Sequence, residues 1–118
     1  MNKIRGVLVR PNRAAEVLEI ENSHRGIRAL IPGYIESVHI SPDRKLVCLI
    51  DEEGRCKGMH PNILLLRGKE AVDYIVGDAF FVYSEGNDFA TIPREHEKEL
   101  LHQFSGKRHK YDLLNPIR

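Results

Sequence analysis

From Glu16 to Glu21 polar and apolar residues nearly alternate, the period of two expected of a strand with one wet face. Ile4 to Arg10 before it reads as an edge-capable strand. Pro11-Asn12-Arg13 supplies the turn between them, because proline fixes φ and asparagine tolerates left-handed geometry. The two strands predict a hairpin. The pattern then changes period: Ile27, Leu30 and Ile31 stand at i, i+3 and i+4, one face of a short helix that Asn22 or Ser23 caps and Pro32-Gly33 stops. Its opposite face carries His24, Arg25 and Arg28.

Strand periodicity returns over Tyr34 to Ile40 and, after the type I turn residues Ser41-Pro42-Asp43-Arg44, over Lys45 to Ile50. A second tight connection at Asp51 to Arg55, with Gly54 available for positive φ, leads to a third strand at Cys56 to Met59 and completes a predicted meander. Pro61 to Leu66 is apolar and too short for an independent helix, so strand and buried turn both remain open. The most apolar and aromatic stretch is Asp73 to Tyr83, which reads as one strand, buried on both faces, at the centre of the fold. After a loop at Ser84 to Asp88, Thr91 is placed to cap a helix over Ile92 to Phe104, with Leu100, Leu101 and Phe104 as its apolar stripe and Gly106 as its end.

These elements predict an α+β fold: a mostly antiparallel twisted sheet of five or six strands with two helices packed on one face. Residues 1–106 form the expected single globular domain, and residues 107–118 a basic C-terminal tail, extended or ordered by a partner.

Charge narrows the function classes. Eighteen Lys and Arg against seventeen Asp and Glu leave a formal net charge of +1 in 118 residues, so there is no strong nucleic-acid signal and no extended negative surface for DNA mimicry. The two cysteines and the lack of an apolar signal region at the start imply reduced thiols and a cytoplasmic setting, and no stretch is apolar for the roughly 20 residues of a membrane span.

Chemical candidates are few. Cys48, Cys56, His60 and His39 offer zinc-type ligands, but there is no Cys-x-x-Cys pair and Cys48 lies among Leu46, Val47 and Leu49, which suits a buried thiol better. The acidic turns at Asp51 to Glu53 and Glu85 to Asp88 lack the alternation of a calcium loop and read as solvated turns. Six histidines are present, none beside a serine or cysteine in a nucleophile signature, and no phosphate-binding glycine loop occurs. No catalytic residue, metal site or cofactor is expected. His96 and His102 lie on or beside the stripe of the last helix and read as packed or half-exposed.

Cations are the more informative set. Arg5, Arg10 and Arg13 on the first strand and its turn, with Arg25 and Arg28 on the first helix, form a candidate anion site if hairpin and helix are neighbours. Glu16, Glu19 and Glu21 are interleaved and could instead pair with these arginines on a solvated face. The tail run Lys107, Arg108, His109, Lys110 and Tyr111 combines charge with one aromatic ring, a candidate contact for a partner or a nucleic acid.

The order Arg5-Gly6-Val7-Leu8-Val9, Ile20-Glu21-Asn22-Ser23, Gly33-Tyr34-Ile35-Glu36, Asp51-Glu52-Glu53-Gly54, Pro61-Asn62, Ile75 to Phe80 and Asn87-Asp88-Phe89 resembles the family catalogued as domain of unknown function 3846, over about Ile4 to Phe104. The resemblance implies a small protein of bacteria, phages or other mobile elements, sometimes encoded beside antirestriction functions, and implies no activity and no catalytic residues. The segment after Gly106 departs from that core. The expected function is a non-enzymatic binding module, plausible for a phage or mobile element, acting on host defence machinery through a protein partner. Two alternatives stand beside it: an arginine-rich pocket that sequesters a small anionic nucleotide, and a metal-dependent hydrolase in which His39 and His60 meet an acidic turn. Homo-oligomerisation is compatible with each.

Overall fold

The computed structural model describes residues 2–117. In chain order the elements are β1 (Lys3–Val9), β2 (Glu16–Glu21), α1 (His24–Leu30), β3 (Ile35–His39), β4 (Leu46–Asp51), β5 (Pro61–Arg67), β6 (Glu70–Val76), β7 (Ala79–Glu85), β8 (Asp88–Ala90), α2 (Arg94–Gln103) and β9 (His109–Asp112). Six strands make one antiparallel sheet in the order β2-β1-β7-β4-β3, with β8 added along β7. A second sheet has the order β6-β5-β9, in which β5 and β9 run parallel. The fold is α+β, as the periodicities predict.

The core has two layers because β1 and β7 are apolar at both parities. Val7, Val9, Ala79 and Phe81 face one way, into a cluster with Leu100 of α2, Phe104 just past its end, and Ile63, Leu65 and Ile75 of the small sheet. Ile4, Leu8, Phe80 and Val82 face the other way, onto Ile27 and Ile31 at α1. The helices therefore cover opposite faces of the main sheet, not the one face expected. A sheet with two apolar faces needs cover on both, and one helix with the small sheet meets that demand on one side while α1 meets it on the other.

Two other expectations change. The run Asp73 to Tyr83 is not one strand: it breaks at Gly77-Asp78 into the end of β6 and the start of β7, so a single apolar stretch serves two sheets. Gly77 has φ +73, the left-handed region that favours glycine, and a Cβ there would also push on the flexible Met59 side chain, 2.7 Å away at Sδ. Only the half from Ala79 onward is central, flanked by β1 and β4. Cys56 to Met59, expected as a strand, is instead part of a turn closed by local bonds from Lys57 N to Glu53 O and from Met59 N to Gly54 O. Main-chain donors satisfied within the turn are not offered to a sheet.

Ser23 caps α1 as expected, its hydroxyl accepting from the Gly26 amide at 3.0 Å. Thr91 does not cap α2. Its hydroxyl accepts from the Arg5 amide at 3.1 Å, tying the segment after β8 to β1, and the helix begins at Arg94 behind Pro93. Pro61 to Leu66 resolves as strand β5. Asn62 at its start is buried, and its side-chain amide donates to Val9 O and to Gly77 O, both at 2.8 Å. One side chain thus joins the end of β1 to the corner between the sheets.

The C-terminal segment is packed onto the domain. Tyr111 and Ile117 are buried, and the Ile117 amide donates to the Tyr111 hydroxyl at 2.8 Å. Burial pushes the Tyr111 phenol up from its ordinary value.

Candidate binding surfaces

The five arginines singled out from sequence divide among three places. Arg5 lies on the α2 side of β1, where Nε donates to Glu97 Oε1 at 2.7 Å and Nη2 to Oε2 at 3.3 Å. Hydrogen bonding from that guanidinium, more than bare charge, holds the buried Glu97 carboxyl below its ordinary value. Arg5 is a cross-link between strand and helix. Arg10 and Arg13 line an open cleft of about 550 Å³ with His60, Met59 and Ile31. Asp51 and Asp78 line it too, and Arg10 stands between Glu16 at 3.6 Å and Asp78 at 3.7 Å, so the cleft is close to charge-balanced. Arg25 and Arg28 are exposed on α1, across the main sheet from Arg5. A single pocket built from all five does not form, because Arg5 and α1 are on opposite faces of one sheet.

The tail residues also part. His109 on β9, beside Ile63 of β5, is buried, its ring edge-on to Phe104 at 5.5 Å between centroids. Nε2–H of His109 donates to the carbonyls of Arg10, at 3.2 Å, and Arg13, at 2.7 Å, and so fixes the turn that Asn12 makes with φ 62. Tyr111 is likewise inside and is closed to a stacking partner. Lys107, Arg108 and Lys110 remain outside.

Those three cations border the outer face of the small sheet, which sequence reasoning did not mark. Leu64 of β5 is directly opposite Tyr74 of β6 on one side and Lys110 of β9 on the other. Leu64 is 41% exposed, Tyr74 45% and Val72 45%, and Leu114, at 65%, lies by the Gly68 turn that joins β5 to β6. Among the described residues these are four of the five large apolar side chains left in water. Lys107 and Arg108 line a shallow groove on this face with Leu64 and Tyr74. The Arg55 guanidinium stacks on the Tyr74 ring, 4.3 Å from its centroid, donates to Tyr74 O at 2.6 Å and pairs with Asp73. That bond is the main reason the Asp73 carboxyl lies below its ordinary value. The ring is held in place before anything binds it.

A third surface lies by α1. His24 and Arg28, one helical turn apart, line a cleft of about 560 Å³ with Tyr34, Ile35 and Phe89.

The zinc-type candidates are not gathered in one place. Cys48 is fully buried, and desolvation pushes its thiol far up, which makes it inert. His39 Nδ1 lies 3.3 Å from the Arg44 carbonyl on the β3–β4 hairpin, whereas His60 opens to the Arg10 cleft. Among the described residues no group of three or more His, Cys, Asp or Glu is placed to hold a metal ion. No helix among them is long and apolar enough to cross a membrane.

A family model described as Domain of unknown function (DUF3846) matches residues 4–105. No curated protein and no solved structure matches the chain.

Proposed function

Since the chain belongs to the family described as Domain of unknown function (DUF3846), a description that names no activity, we propose from the geometry that it is a non-enzymatic binding module. It docks an acidic protein surface on the outer face of the small sheet. The observation that carries this reading is the concentration of exposed apolar side chains there, Leu64, Val72, Tyr74 and Leu114, beside Lys107, Arg108 and Lys110. Single exposed apolar residues need no explanation, but a contiguous group with a charged border has the composition of an interface. Tyr74 under Arg55 is an anchor whose rotamer is already paid for in the free protein. The setting that goes with the proposal, a phage or mobile-element protein acting on host defence machinery, rests on the family resemblance alone.

The test is a quantitative capture from host lysate with wild-type bait and with three variants. Leu64→Asp and the pair Lys107→Glu with Arg108→Glu should each lose the bound protein, the charge variant with a strong dependence on salt. Arg28→Ala, on the other side of the molecule, should keep it. A bound protein retained by both small-sheet variants contradicts the proposal.

A further inference from the structure

The cleft by α1 has a composition that the Arg10 cleft lacks. None of its lining residues is a carboxylate, and it brings His24 and Arg28 together with the rings of Tyr34 and Phe89. Among the described residues neither His24 nor Arg28 makes an ion pair, whereas Arg5, Arg10 and Arg55 all do.

Tyr34 is the decisive residue. At 72% exposure it is the most exposed of the large apolar side chains described, yet its backbone is anchored: the Glu52 amide donates to Tyr34 O at 2.8 Å. The preceding residue is fixed as well. Gly33 has φ +118, and a Cβ there would lie 2.7 Å from Lys57 Nζ and 2.9 Å from Asp51 Oδ2. Those two groups form a 2.8 Å ion pair in which the Asp51 carboxylate is buried. Phe89, which also lines the cleft, is tethered too, since Asn22 Nδ2 donates to Phe89 O at 3.0 Å. An aromatic ring displayed in water on a fixed backbone, next to an arginine and a histidine without carboxylate partners, suits a ligand with a flat apolar part and an anionic part.

We infer that this cleft binds a mononucleotide, with the base against Tyr34 and the phosphate on Arg28 and His24. Its volume falls within the roughly 300–1,000 Å³ of small-molecule sites. A guanidinium fork supplies two-point recognition of a phosphate, and an aromatic face accepts any base with little sequence preference. The site is on the face of the main sheet opposite the small sheet, so it stands or falls independently of the protein-docking surface.

The experiment is calorimetric titration of the whole chain with AMP, UMP, adenosine and inorganic phosphate, repeated on Arg28→Ala, Tyr34→Ala, Tyr34→Phe and Lys107→Glu. These positions are at the surface, so each variant keeps the fold, which circular dichroism checks. Saturable binding of AMP or UMP is expected, weaker or absent for adenosine and phosphate alone. Arg28→Ala should weaken the nucleotide roughly 10–100-fold, the loss of a charge-assisted hydrogen bond. Tyr34→Ala should weaken it as well, while Tyr34→Phe and Lys107→Glu leave it unchanged. The inference is overturned if neither nucleotide saturates at about millimolar concentration, or if binding survives both alanine variants.

Discussion

Asn62 is the residue on which the join between the two sheets depends. Its amide is the donor to both Val9 O and Gly77 O, so Asn62→Ala leaves two interior carbonyls without that partner. The expected cost is roughly 2–3 kcal/mol, read as a fall of about 10 °C in melting temperature. Asn62→Asp is expected to do no better, because an acceptor cannot serve two carbonyls. A melting temperature unchanged in Asn62→Ala would show that the join lies elsewhere. The Arg5–Glu97 pair sets an acid limit. The folded-state value of Glu97 is below the ordinary 4.5, so its contribution to stability is present above that value and is lost as pH falls through the depressed one. Melting curves from about pH 6 down to about pH 3 should steepen at the acid end in the wild type and flatten in Glu97→Gln. Equal slopes in the two proteins would contradict this. Pro61-Asn62 was legible only as part of a motif order, since nothing in one sequence says that an asparagine will be buried with two carbonyls to satisfy.

At the scale of elements, β9 closes the core. It pairs with β5 from Ile63 to Leu66 and places His109 and Tyr111 against the interior. A chain ending at Gly106 should therefore melt without a cooperative transition and bind a hydrophobic dye, while Tyr111→Phe should cost only about 1 kcal/mol, one hydrogen bond to the Ile117 amide. A truncated chain that melts like the full one would contradict the role of β9. The sequence pattern made β1, β2, α1, β3, β4 and the second helix readable because each carries its period over several residues. It was silent on β9, where Lys107 to Tyr111 shows charge and only two inward positions. The break at Gly77-Asp78 had a visible signal, a glycine followed by a turn former within an apolar run, but the length of the run outweighed it. Apolar residues at successive positions of β7 mark a strand buried on both faces, and such a strand needs cover on both.

For the whole molecule, the distribution of side chains among faces decides function, and this was the least legible level. Arg5 and Arg28 are close in sequence and far apart in role, because one strand parity points to α2 and the α1 face points away from it. Leu64, Val72, Tyr74 and Leu114 come together through strand register and a turn, neither of which periodicity supplies. The proposed docking of this face on a partner protein is the contact that matters most. A photo-crosslinking side chain placed, in host cells, at Leu64, at Tyr74 and, as a control, at Glu19 on the edge strand β2 of the main sheet tests that docking directly. One adduct with an acidic protein is expected from positions 64 and 74 and none from 19. Adducts from 19 alone, or only a doubling of the chain's own mass at 64 and 74, would contradict it.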